Sequence, residues 1–110
     1  MDFQFLENAI NTGPGTAFDI ATMSNETINK TVQFFASASS PTFAVTVELQ
    51  VSLYREPTET QWLLARSFDL DENTPSDGQA MNGNWLLYRA YVRTISGTGA
   101  TVSGLMKASK

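Results

Sequence analysis

From Phe43 to Tyr54 apolar and polar side chains alternate without a break, with Phe43, Val45, Val47, Leu49, Val51 and Leu53 in one register and Ala44, Thr46, Glu48, Gln50, Ser52 and Tyr54 in the other. A period of two belongs to a strand with one dry face and one wet face. At about 3.3 Å per residue the run is long enough to cross a whole sandwich, whereas helical spacing would scatter the same apolar residues around all sides. Weaker versions of the pattern recur. Ile28 to Phe35 is rich in β-branched and aromatic residues, Gln61 to Leu70 carries Trp62, Leu64 and Phe68, and Trp85 to Ile95 carries Tyr88, Tyr91 and Val92. Ala100 to Met106 reads as a closing strand, and Phe3 to Ile10 and Thr16 to Ile20 as two short opening ones.

Turn-forming clusters separate these runs: Asn11 to Gly15, a Ser-rich stretch ending at Pro41, the segment around Pro57, Asn73 to Gly78, Asn82 to Asn84, and Ser96 to Gly99. Strands punctuated about every ten residues predict an all-β fold, a single antiparallel β-sandwich of jelly-roll type with about seven to eight strands. One domain spans residues 1–110, with 1–7 as an N-terminal arm. Met23 to Asn29 is expected to form at most one helical turn, and the polar stretch from Asn73 to Asn84 a mobile loop.

Composition narrows the function. The 110 residues include neither cysteine nor histidine, which removes disulfides, thiolate metal sites, the commonest zinc ligand and the usual general base near neutral pH. Net charge is −4, and the seven Lys and Arg residues are scattered, so a phosphate backbone finds little to hold and no nucleic-acid partner is expected. No apolar stretch has the length of a spanning helix, and the N-terminus lacks a basic region followed by an apolar one; a soluble, unprocessed chain without a membrane partner is expected. The sequons at Asn25 and Asn29 are read as chance occurrences.

The acidic cluster Asp69, Asp71, Glu72 and Asn73 has the opening D-x-D-x-N spacing of a calcium loop, but the pattern fails at Thr74, where Gly belongs, at Pro75, and at Ala80, where a bidentate Glu belongs. The same carboxylates share one loop and lack the rigid opposed placement that glycoside hydrolysis needs. Gly13 and Gly15 read as turn formers, since no phosphate-binding glycine spacing follows them. The chain is therefore expected to be no enzyme and to use no metal or cofactor.

Binding chemistry rests on the aromatic and arginine residues. On the Trp85 strand, Leu86, Tyr88, Ala90 and Val92 form the expected core face, which leaves Trp85, Leu87, Arg89, Tyr91 and Arg93 on the other. Trp, Tyr and Arg are the types enriched at protein interfaces, so Trp85, Arg89, Tyr91 and Arg93 are candidate interface residues. Asp2, Phe3 and Phe5 of the N-terminal arm are candidates to add a strand to a neighbour. Tyr54 and Trp62, with Trp85, form a candidate sugar-stacking set, since an amphipathic ring covers area at low entropy cost.

Three segments together resemble a family of small virion proteins of tailed bacteriophages: FLENAINTGPGTAFDI from Phe5, FAVTVELQVSLY from Phe43 with the following Trp62, and YRAYVRTISGTGATVSG from Tyr88. Where many relatives carry Asp-Gly in the hairpin before the tryptophan, this chain has the longer REPTETQ from Arg55 to Gln61. The resemblance implies a virion structural protein, foremost a capsid decoration (cement) protein made in the host cytoplasm and sitting on the outer surface of the head. It implies the major capsid protein or other virion proteins as partners, and a homo-oligomer, a trimer among the options. The alternative it leaves open is a carbohydrate or host-receptor binding module on a tail or head fibre.

Overall fold

The computed structural model describes residues 2–19, 29–81 and 85–109. Among them the chain forms β1 (Asp2–Ala9), β2 (Gly13–Pro14), β3 (Phe18–Asp19), β4 (Asn29–Ser37), β5 (Ala44–Ser52), β6 (Leu63–Asp71), β7 (Ser76–Met81), β8 (Leu87–Ser96) and β9 (Thr101–Ser109), with a short 3-10 turn at Glu59–Gln61 before β6. One sheet runs β1-β9-β4-β7, and the other β2-β8-β5-β6 with β3 also on β8. All the strand pairs are antiparallel.

Because β2 and β3 lie against successive stretches of β8, they act as one interrupted strand. The pairing is then nested: first strand with last, the β2–β3 strand with β8, β4 with β7, and β5 with β6. It is a long hairpin rolled up until β4 meets β9 and β5 meets β8, which is the jelly roll. The expected sandwich is present, with eight strand positions once β2 and β3 are joined.

The alternation places the core as expected. Val45, Val47, Leu49 and Val51 of β5 are at most 1% exposed and share the inner face of their sheet with Tyr88, Ala90 and Val92 of β8, while the other sheet contributes Val32, Phe34 and Ala36 of β4 and Val102 and Met106 of β9 to the same core. Aromatic rings tie the layers together, with Phe34 of one sheet 5.0 Å from Phe68 of the other, and Phe18 packed edge-on against Phe3 and Phe5. The Phe34 ring occupies the space above Gly104, its cross-strand partner on β9, where any Cβ would sit 2.4 Å from two ring carbons. At the seam between the sheets, the Gly15 N–H donates to the carbonyl of Ala90 (2.8 Å) and the Thr16 N–H to that of Phe5 (3.0 Å). A side chain at residue 15 would strike the Phe5 oxygen at 2.4 Å, so the seam needs glycine there.

Several expectations change. Residues 1–7 do not make a free arm where they are described: β1 pairs with β9 in its own sheet, and Phe3 and Phe5 are 2% and 1% exposed, because a sandwich this small needs these rings inside. The polar stretch after Asn73 contains β7, an edge strand held by its backbone ladder to β4. With only one neighbour and one face to bury, an edge strand forms without the apolar run that marks a central one. Gly13 and Pro14, expected as turn, pair with β8. Leu53 lies beyond the end of β5 and is exposed. The helical turn expected after Met23, the sequon at Asn25 and the turn at Asn82 to Asn84 lie outside the described residues. Among the described residues no helix is long and apolar enough to cross a membrane.

Candidate protein interface

The outer face of the β8–β5–β6 sheet brings together four of the predicted residues, Trp62, Arg89, Tyr91 and Arg93. Cross-strand register sets Gln50 of β5 opposite Arg89 of β8 on one side and Leu64 of β6 on the other, and Glu48 opposite Tyr91 and Ser67. The Arg89 guanidinium carbon lies 4.2 Å from the centre of the Trp62 ring and 5.4 Å from that of Tyr91, and the Arg93 carbon lies 4.3 Å from Tyr91. Rings and cations thus alternate in the order Trp62, Arg89, Tyr91, Arg93. Each guanidinium over a ring face is an attractive cation–π contact, strengthened where water is excluded.

Two carboxylates lock the ladder. Glu59 receives both terminal nitrogens of Arg89, at 2.8 and 3.3 Å, and Glu48 receives Nε and Nη2 of Arg93 at 3.2 and 2.8 Å. Gln50 joins them, accepting from Arg89 Nε at 2.7 Å and donating to Glu48 at 3.0 Å. Hydrogen bonding from Arg93, and secondarily from Gln50, holds the Glu48 carboxyl below the ordinary range against the opposing effect of burial. The bond from Arg89 likewise lowers Glu59, and the bond to Glu48 raises Arg93. Glu59 is delivered by the REPTETQ segment. Its 3-10 turn is closed by the Gln61 N–H donating to the Thr58 carbonyl and by the Thr58 N–H donating to the Gln61 side chain, both at 2.9 Å.

The predicted interface residues therefore differ in accessibility. Arg89 is 6% exposed and fully engaged, so it is a clamp and not an open contact. Leu87, on the same face, is also buried, and Trp85 packs against the core while its backbone N–H donates to the Tyr88 hydroxyl at 3.3 Å. Tyr91 is half-buried and the Arg93 side chain half-exposed, so these two reach the surface. Asp2 is exposed and lies 4.0 Å from Lys107, while Phe3 and Phe5 belong to the core. Of the sugar-stacking pair, Trp62 gives a ring face to Arg89, and Tyr54 is open to solvent.

The most exposed apolar surface on this side includes Tyr54, a predicted residue, but is made mainly of leucines that were not predicted. Leu53, Leu63 and Leu64 are 64%, 52% and 58% exposed, and Tyr54 59%. Leu63 and Leu64 open β6, the edge strand of its sheet, where Ala65 is an extra residue opposite the Leu49–Gln50 step. One sequence signal pointed there: three successive apolar residues in a strand of period two force at least one to face outward. An exposed apolar edge is a surface that natural sandwiches cover or use.

No family model matches the chain, and no curated protein does. The tailed-phage resemblance thus rests on the three segments alone. Among solved structures, a chain of the native virion of Kashmir bee virus at neutral pH is similar over all of this chain and 69% of its own, at 10% identity and a TM-score of 0.52. The crystal structure of PirA aligns with 98% of this chain and 91% of its own, at 14% identity and a TM-score of 0.49. At these identities the likeness is one of fold.

Proposed function

We propose that this chain is a virion structural protein without enzymatic activity, most specifically a capsid decoration (cement) protein that binds the outer surface of the assembled head. What carries the reading is the conjunction of a complete jelly roll, overlaid from end to end by a chain of a virus particle, with a solvent-exposed apolar edge at Leu53, Tyr54, Leu63 and Leu64. Jelly rolls also serve as lectin domains, so topology by itself does not choose. The edge does favour protein: it joins apolar side chains to a strand with free backbone groups, a combination suited to packing against another chain.

The contact surface in this reading is that edge, with Tyr91 and Arg93 reaching the surface two strands away on the same sheet and the Arg89 clamp holding that part of the sheet rigid. A rigid surface loses little entropy on binding. Binding to the assembled shell alone stabilises the shell by mass action, and many copies on one lattice add avidity.

The test is composition and location. Mass spectrometry of purified particles from the source virus should find the chain at a fixed ratio to the major capsid protein, and cryo-electron microscopy should place a sandwich of 43 × 29 × 18 Å on the head surface. Particles free of this chain, or density confined to the tail, overturn the cement assignment.

A further inference from the structure

The outer face of the other sheet has a different chemistry. Register aligns Gln4, Leu105, Gln33 and Gly78 across β1, β9, β4 and β7, and next to them Ser103, Phe35 and Ser76 across β9, β4 and β7. These two rows carry no charge, in contrast to the opposite face with its Glu48, Asp69, Arg89 and Arg93. They line a groove of about 290 Å³ bounded by Gln4, Gln33, Phe35, Ser103, Gly104 and Leu105. It runs on past Gln33 and Leu105 into a second depression of about 140 Å³ towards Thr31 and Lys107.

Two details make the groove a site and not a bare face. The Gln4 amide nitrogen donates to the carbonyls of Leu6 and of Gly104, the latter at 3.2 Å. Two carbonyl oxygens can be met only by the NH₂ end, so the orientation of this amide is fixed and its own oxygen is left as an acceptor. The Gln33 nitrogen donates to the Ser76 hydroxyl at 2.8 Å, which leaves its oxygen as a second acceptor. Phe35, on the neighbouring row, is 51% exposed, a ring kept in water on a face that it shares with Leu105 and with the Gln4 and Gln33 amides and the Ser76 and Ser103 hydroxyls.

We propose that this groove binds a neutral saccharide. The C–H face of a sugar ring covers Phe35, and its hydroxyls donate to the anchored Gln4 oxygen and to the Gln33 amide oxygen beside it. A charged ligand would give up hydration with no countercharge in the two rows, whereas an uncharged polyol exchanges water for matched partners. The volume lies at the small end of ligand sites, suited to a single ring with a second one extending towards Thr31. The site is on the opposite sheet from the proposed capsid contact and from Tyr54, so it equips the same domain to touch a glycan while the apolar edge holds a protein.

The full chain applied to an array of neutral and acidic glycans should retain neutral ones, with no gain from sialic acid or sulfate. Titration with the best neutral glycan should weaken about tenfold or more in Phe35→Ala, Phe35→Leu and Gln33→Ala, the leucine variant keeping apolar cover while removing the aromatic ring, and should be unchanged in Tyr54→Ala. Circular dichroism confirms that each variant is folded. Retention of no neutral glycan, or binding that survives Phe35→Ala, or binding lost in Tyr54→Ala, overturns the proposal. Particle occupancy of Phe35→Ala reports on the capsid reading separately and should not fall.

Discussion

Replacing Arg89 by alanine should destabilise the domain, although arginine on the outer face of a strand is ordinarily a neutral site. Only 6% of the residue is exposed, and its guanidinium makes a 2.7 Å bond to Gln50 and lies against two rings. Leaving the Gln50 acceptor without its donor costs about 1–3 kcal/mol, and a largely desolvated cation–π contact contributes about 1–2 kcal/mol. Glu59 faces solvent and adds little. Allowing for overlap between these effects, the loss should be about 3 kcal/mol. Urea unfolding followed by both fluorescence and circular dichroism measures it, coincident transitions establishing two-state behaviour. Arg89→Lys should recover less than half, because an ammonium neither stacks flat on Trp62 nor spans both Glu59 oxygens. In a double-mutant cycle with Trp62→Ala the coupling should be about 1 kcal/mol or more. A loss below about 1 kcal/mol for Arg89→Ala, or additive single mutants, would refute the view of Arg89 as a clamp and restore it as a free contact residue.

Arg93→Ala, by contrast, removes a half-exposed side chain and should change stability by no more than about 1 kcal/mol in the same unfolding assay. Gly104→Ala should cost about 1–3 kcal/mol by driving a methyl into the Phe34 ring, and Phe34→Leu in the same chain should return part of that loss, a pairing that thermal melts can read. Leu64→Asp should leave stability within about 0.5 kcal/mol while lowering occupancy on purified particles at least tenfold. The Glu48 carboxyl is held below its ordinary value of 4.5, so its contribution is complete above that pH and lost as pH falls through the lower folded value. Stability measured from pH 6 to pH 3 should therefore decline on the acid side, and Glu48→Gln should flatten that decline.

The alternation of apolar and polar residues decided much of this fold before any tertiary contact. A strand admits two faces, and Val45 to Val51 or Val32 to Ala36 can bury one set only by closing against another sheet. The same pattern could not say which outward side chains stay in water. Arg89 is buried because a segment more than 25 residues earlier in the chain brings Glu59 and Trp62 over it, and a longer hairpin is invisible to a period-two pattern. Phe3 and Phe5 lie inside because β1 joins the last strand of the chain, a pairing of the greatest sequence separation. The strand β7 exists because β4 offers it a ladder, and the proposed saccharide groove because Gln4, Gln33 and Leu105, far apart along the chain, fall into one row across three strands. Which residues point outward is a local property of the backbone; what then covers them, or leaves them open to a partner, depends on contacts that only the rolled-up hairpin brings together.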